Sequence, residues 1–209
     1  MITLNDLNNA MCIESFDSQS AQKIMAPKPH TRLKQFADVP PKDASVLALL
    51  YPDSGALNIV LTRRQDNLRG HAGQISFPGG KRDPEDLTSE FTALRETHEE
   101  IGIIPDEIHI IGALANFYVP PSNFNISPFV GYIDYMPRFI PNPSEVAEII
   151  TFPVDELLSP DSKQNEYHDY DGMRVHIPYY DICGHKVWGA TASILGELEQ
   201  RLKVVTTVY

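Results

Sequence analysis

The stretch Gly79-Gly80-Lys81-Arg82-Asp83-Pro84-Glu85-Asp86 leads into Ala93-Leu94-Arg95-Glu96-Thr97-His98-Glu99-Glu100-Ile101-Gly102-Ile103, and this run contains a predicted helix with unusual charge placement. Thr88 or Ser89 can cap its start, and Gly102 stands where a left-handed terminator belongs, so the helix should run from about Thr88 to Ile101. Phe91, Leu94, His98 and Ile101 recur at helical spacing and are expected to form its packed face. Glu96, Glu99 and Glu100 stand at i, i+3 and i+4, which puts three carboxylates on one side. Such like charges repel by about 0.2–0.5 kcal/mol per close pair. They also crowd the helix's C-terminal turns, where the macrodipole disfavours anions. A compensating cation would relieve both penalties, and hard carboxylate oxygens suit Mg²⁺ or Mn²⁺ rather than zinc. Arg95, four residues before Glu99, can steady that carboxylate. Taken alone, the pattern also fits a solvated acidic helix face.

Outward from this helix, Val46–Tyr51 and Leu57–Thr62 read as two strands joined by the turn Pro52-Asp53-Ser54-Gly55. Further strands are expected at Ile108–Leu114, Phe129–Ile133, Glu148–Phe152, Val175–Tyr180 and His185–Trp188. A last helix is expected over Thr191–Lys203, with a stripe of Ile194, Leu198 and Leu202. Residues 1–24 read as one polar, weakly amphipathic helix, and 25–44, with four prolines, as an irregular lead-in. The division expected is therefore a lead-in over 1–44 and the main domain over 45–209. Hairpins mixed with two or three helices predict an α/β fold with helices on a mixed sheet.

The chain has 209 residues, of which 42% are hydrophobic, enough to bury a sizeable core. A formal charge of -11 disfavours nucleic acid and anionic membranes as partners. An acidic protein that handles phosphates needs a local cationic device, either arginines or metal. The two cysteines, Cys12 and Cys183, form no metal or disulfide pattern, which favours a reducing compartment such as the cytoplasm. The N-terminus lacks the basic and apolar regions of a signal peptide, and no run is long enough to span a membrane.

The glycine pair, Arg95 and the three glutamates together resemble the Nudix box, G-x5-E-x7-R-E-U-x-E-E-x-G-U, where U is aliphatic. Gly80, Arg95, Glu96, Glu99, Glu100, Gly102 and Ile103 match it. Thr97 replaces an aliphatic residue, Asp86 fills the first acidic position, and Gly80 to Arg95 is one residue longer than usual. The resemblance implies a Nudix-type α/β/α sandwich. It further implies that Glu96, Glu99 and Glu100 hold Mg²⁺ or Mn²⁺ with the Gly79 carbonyl nearby, that Glu99 and Arg95 belong to the catalytic set, and that the substrate is a nucleoside diphosphate derivative. A distant loop carboxylate often completes such a site or supplies its base; Glu145 is the candidate, with Glu148 behind it.

Upstream, Thr62-Arg63-Arg64-Gln65-Asp66-Asn67-Leu68-Arg69-Gly70-His71-Ala72-Gly73-Gln74-Ile75-Ser76-Phe77-Pro78-Gly79-Gly80 holds three arginines beside a glycine-containing loop. Arginine suits bidentate phosphate contacts; a basic surface loop is the plain alternative. The segment resembles the coenzyme A pyrophosphatase branch of the Nudix family through Thr62, Arg64, Arg69, Gly73, Phe77, Pro78, Gly79 and Gly80. Gln65 departs from it, standing where that branch usually has Ser or Ala. The longer glycine-to-arginine spacing is usual in the branch. What this implies is hydrolysis of coenzyme A or acyl-CoA to 3′,5′-ADP and (acyl-)4′-phosphopantetheine, with Arg63, Arg64, Arg69 and Gly80 contacting substrate. A Nudix hydrolase of ADP-ribose and a noncatalytic nucleotide-binding module are the alternatives, and a homodimer is compatible with the chain. His98 is expected to pack inward, Trp188 to lie in the core, and His71 and His168 are left open.

Overall fold

The computed structural model describes residues 1–28, 39–67, 72–170 and 172–206. The expected first hairpin is β1 (Lys42–Asp53) and β2 (Ala56–Arg64), antiparallel, with Asp53 opposite Ala56. Its turn places Ser54 and Gly55 at positive φ, the twist that a two-residue hairpin connection favours. Two short strands follow, β3 (Ile75–Ser76) against β2 and β4 (Gly79–Lys81) against β1. After helix α3 (Ser89–Ile101) come β5 (His109–Ala113), β6 (Phe117–Val119), β7 (Phe124–Tyr132) and β8 (Val146–Pro153). The central order is β3-β2-β1-β7-β5, with β4 also on β1, β6 on β7 and β8 on β2. Only the β1–β7 pair among these is parallel, so the sheet is mixed. A second sheet, β9 (Lys163–Tyr170), β10 (Met173–Ile182) and β11 (His185–Trp188), is antiparallel. Helix α4 (Gly189–Thr206) closes the described chain.

Strand alternation sorts the core into two halves. Leu47, Leu49, Tyr51 and Val60 pack with Ala93 and Ile101 of α3. Ala48, Leu50, Ile59 and Leu61 face the other way and pack with Leu195, Leu198 and Leu202. The sheet thus lies between α3 and α4, the expected α/β/α layering. The stripe Ile194, Leu198 and Leu202 is fully buried, as expected.

The N-terminal residues differ from the single expected helix. Two helices form, α1 (Leu4–Met11), with Thr3 and Asp6 in a capping box, and α2 (Ser18–Ile24), capped by Asp17. They rest on α4 and bury its second face. Glu197, fully buried, accepts from Ser18 (2.8 Å), Gln22 (2.8 Å), the Ala115 amide and Arg201 (3.0 Å). Arg201 also reaches the Ala10 carbonyl at 3.2 Å and covers the Phe16 ring. A buried charge so fully partnered is tolerable, whereas one left alone would cost several kcal/mol. The strand β9 was not expected, because its sequence KQNEYHDY lacks apolar alternation; it is held by its ladder to β10. Among the described residues, no helix is long and apolar enough to cross a membrane.

Candidate active site

Helix α3 starts and stops as its caps predict. Thr88 accepts from the Phe91 amide at 3.0 Å, and Gly102 adopts the left-handed conformation. Its packed face differs from the expected one. Phe91 is exposed and so is His98, whose Nδ1 lies 3.1 Å from the Ile103 carbonyl. The buried positions are Thr92, Ala93, Thr97, Glu100 and Ile101. Small side chains there let the helix lie close over β1 and β4, and this rotation carries Glu100 inward. The three carboxylates therefore do not form one solvated face: Glu100 is 5% exposed, whereas the Glu99 side chain is 53% exposed.

The β4 strand supplies the floor. Gly79 has φ +151°, and a Cβ there would stand 2.3 Å from the Ser45 carbonyl oxygen, so only glycine fits. Its N–H points to Glu100 Oε2 at 3.4 Å. At Gly80 a Cβ would sit 2.5 Å from the Glu96 carboxylate, so the missing side chain is the space that carboxylate occupies.

Arg95 is the hub. Its guanidinium grips Asp86 with two bonds of 2.9 Å, reaches Glu99 at 3.0 Å and Glu96 at 3.0 Å, and donates to the Lys81 carbonyl at 3.3 Å. Asp86 is 4% exposed and also accepts from Thr92 (2.9 Å) and the Asp83 amide (3.0 Å). The Arg95 guanidinium above all holds the Asp86 carboxyl well below the usual carboxylate range. The acidic position of the loop thus anchors the arginine, which in turn orients two glutamates.

One guanidinium cannot neutralise this many carboxylates. Burial raises the affinity of Glu96 for its proton, against the opposing pull of Arg95. Burial, followed by the Glu96 charge, pushes Glu100 up to about 8; Glu145 adds to the rise, while the Gly79 N–H and Arg64 oppose it. Glu145 and Arg64 therefore lie within electrostatic reach of the helix carboxylates. The loop bearing Glu145 is tied to α3 by Asn142 N–H to the Glu100 carbonyl, 2.9 Å. Among the described residues, no three acidic, histidine or cysteine side chains already converge as a ligand set, since Glu96 and Glu99 are turned onto Arg95. The donor set still fits a hard divalent cation: it offers a buried carboxylate with a single long hydrogen bond, a glycine-made recess at Glu96, and excess negative charge.

The arginines divide. The β2–β8 ladder shifts register between Arg63 and Arg64. Arg63 pairs with Asp66 (3.0 Å) and Glu148 (3.5 Å), and Glu148 also meets His185 at 3.3 Å. Arg64 is the one that acts on Glu100. Arg69 and His71 lie outside the described residues. His168 pairs with Glu166. Trp188 is 36% exposed, with Lys186 5.6 Å from its ring centroid, so it is not the core residue expected.

The NUDIX domain family model matches residues 41–171. Proteins called "Uncharacterized Nudix hydrolase NudL" from Yersinia pestis (strain Pestoides F) and Yersinia pseudotuberculosis serotype O:1b (strain IP 31758) are each 38% identical to this chain over 152 residues. Each alignment covers 70% of this chain and 73% of the relative. Among solved structures, a Nudix hydrolase from M. smegmatis, RenU, is similar with TM-score 0.54 at 19% identity, covering 80% of this chain and 87% of that one. A MutT/nudix family protein from Enterococcus faecalis is similar with TM-score 0.53 at 15% identity, covering 99% of this chain and 80% of that one. At these identities the two structures speak for the fold alone.

Proposed function

Because this chain belongs to the Nudix family and is a hydrolase of nucleoside diphosphate derivatives, we propose that its substrate is coenzyme A or an acyl-CoA, cut at the diphosphate to 3′,5′-ADP and (acyl-)4′-phosphopantetheine. The observation that carries the substrate is that Arg64 and the Phe77-Pro78-Gly79-Gly80 run both act on the helix carboxylates. The arginine ends β2 within reach of the helix carboxylates, and the run forms the glycine floor beneath them. In sequence these residues match the coenzyme A branch.

Glu96, Glu99, Glu100 and the Gly79 carbonyl would hold the divalent cation, Mg²⁺ or Mn²⁺. When bound, it would neutralise the diphosphate, polarise phosphorus and lower the pKa of water. Arg95, anchored on Asp86, holds Glu96 beside the Gly80 floor and keeps Glu99 on its own guanidinium. Glu145, whose charge is felt at Glu96 and Glu100, would orient or deprotonate the attacking water. The Arg64 guanidinium is suited to a bidentate grip on phosphate oxygens. Gly80, whose missing side chain leaves room for the Glu96 carboxylate, would contact substrate through its backbone. The assignment of Arg63 and Arg69 to substrate is kept, with Arg63 free to engage only if it exchanges Asp66 or Glu148 for phosphate.

The test is product analysis after incubation with coenzyme A, dephospho-CoA, ADP-ribose, NADH and nucleoside triphosphates, with Mg²⁺ or Mn²⁺. The highest kcat/KM is expected for coenzyme A or a thioester. Preference for ADP-ribose would overturn the substrate while leaving the family untouched.

A further inference from the structure

Gln65 is a position at which this chain departs from the coenzyme A branch, and its side chain is engaged by the loop that carries Glu145. Its Nε2 donates to the Pro143 carbonyl at 3.1 Å and to the Val146 carbonyl at 3.3 Å. Its backbone N–H donates to the Glu145 carbonyl at 2.8 Å. The residue that follows β2 therefore grips the 143–146 turn at three points that bracket Glu145. From the other side, the turn closes on Asn142, whose carbonyl accepts from the Glu145 and Val146 amides at 3.1 and 2.8 Å. Asn142 itself is fastened to the Glu100 carbonyl, and its Oδ1 accepts from Ser144 at 2.7 Å. Among the described residues, no donor holds the Glu145 carboxylate itself. The backbone is pinned and the acid is left to act.

We propose that Gln65 is a positioning residue that fixes the Glu145 loop across from Glu96 and Glu100, so that Glu145 meets the reacting water at a set distance. A serine or alanine at position 65 is too short to span both carbonyls. Position 65 immediately follows Arg64, so one strand end sets both a phosphate-gripping cation and the opposing carboxylate. The inference rests on the reading of Glu145 as an active-site group.

A double-mutant cycle tests it. Gln65→Met keeps the length and removes the donor; Gln65→Ser is the branch-like change; Glu145→Gln removes the acid. Each is assayed with coenzyme A and, in parallel, ADP-ribose under saturating Mg²⁺. Misplacing a reacting group by a fraction of an ångström costs on the order of 10-fold. Gln65→Met and Gln65→Ser should lower kcat by about that factor with KM little changed. In the Glu145→Gln background, Gln65→Met should have almost no further effect, because the group it positions is gone. In the metal-free protein, amide hydrogen exchange at Glu145 and Val146 should quicken in Gln65→Met, with global stability near wild type. A Gln65→Met loss that persists undiminished in the Glu145→Gln background overturns the inference, and so does a change confined to KM. Wild-type kcat or unchanged exchange in Gln65→Met does the same. If Glu145→Gln alone keeps wild-type kcat, the reading of Glu145 falls first and takes the inference with it.

Discussion

Replacing Glu100 with glutamine should stabilise the metal-free protein at neutral and alkaline pH while crippling it as an enzyme. Glu100 is 5% exposed, feels the charges of Glu96 and Glu145 and, among the described residues, has one long hydrogen bond, from Gly79 at 3.4 Å. Its carboxyl is pushed from 4.5 up to about 8. The folded chain thus keeps a proton that the unfolded chain releases near 4.5. Folding stability is highest below that pH and falls as pH rises through 8. At 1.36 kcal/mol per unit, the loss is about 3 kcal/mol by pH 7 and approaches about 5 kcal/mol above pH 8. That is a large part of the ~5–15 kcal/mol available to a domain. Glutamine removes the charge but leaves an amide poorly partnered, a cost of about 1–3 kcal/mol. The net expectation is a variant about 1–3 kcal/mol more stable than wild type at pH 8, with the advantage gone or reversed at pH 5. Urea denaturation followed by circular dichroism, in excess chelator at pH 5, 6, 7 and 8, measures it. Other titrating groups are common to both proteins, so the difference between the two curves is the readout. Mg²⁺ or Mn²⁺ should erase the wild-type slope, because ligand binding stabilises the folded state by mass action. Parallel wild-type and variant curves across pH 5–8 would refute the reasoning.

Chelation should abolish turnover and Mg²⁺ or Mn²⁺ should restore it; full activity in a metal-free sample would remove the cation from the mechanism. Gly80→Ala places a methyl 2.5 Å from the Glu96 carboxylate, a movable group, so the fold should survive while Mn²⁺ affinity, read by titration, falls at least 10-fold, about 1.4 kcal/mol. Asp86→Asn breaks the anchor of Arg95 and should cost about 3 kcal/mol at pH 7. Because the Asp86 pKa is depressed, that deficit should be present above about pH 4 and shrink as pH falls further; a deficit independent of pH would show that the charge is not what anchors Arg95. Arg64→Ala should lower kcat/KM for coenzyme A about 10- to 150-fold, from the ~1.5–3 kcal/mol of a charged hydrogen bond to phosphate. A smaller loss against dephospho-CoA would assign Arg64 to the 3′-phosphate, equal losses to the diphosphate, and no loss in either would remove it from the site.

The sequence by itself determined the local frame and the chemistry that the frame carries. Thr88 and Gly102 bound α3 because caps act on their own helix ends. Pro52-Asp53-Ser54-Gly55 sets the β1–β2 turn, and Arg95, Glu96, Glu99 and Glu100 fall on neighbouring helix positions by spacing alone. Tertiary structure decided everything that depends on which surface meets which. Helical periodicity offered Phe91 and His98 for the packed face, because it counts apolar side chains and not the room beneath them. Close contact with β1 and β4 selected Thr92, Ala93 and Thr97 instead and drove Glu100 inward. The partnership of Asp86 with Arg95 spans nine residues around a loop, and Gln65 meets Pro143 and Val146 across some eighty. Nothing local encodes such distances. The burial of Glu197 and Arg201 under α1 and α2 likewise follows from the N-terminal helices packing on α4, because a polar helix face can enter a core only where another segment brings it partners.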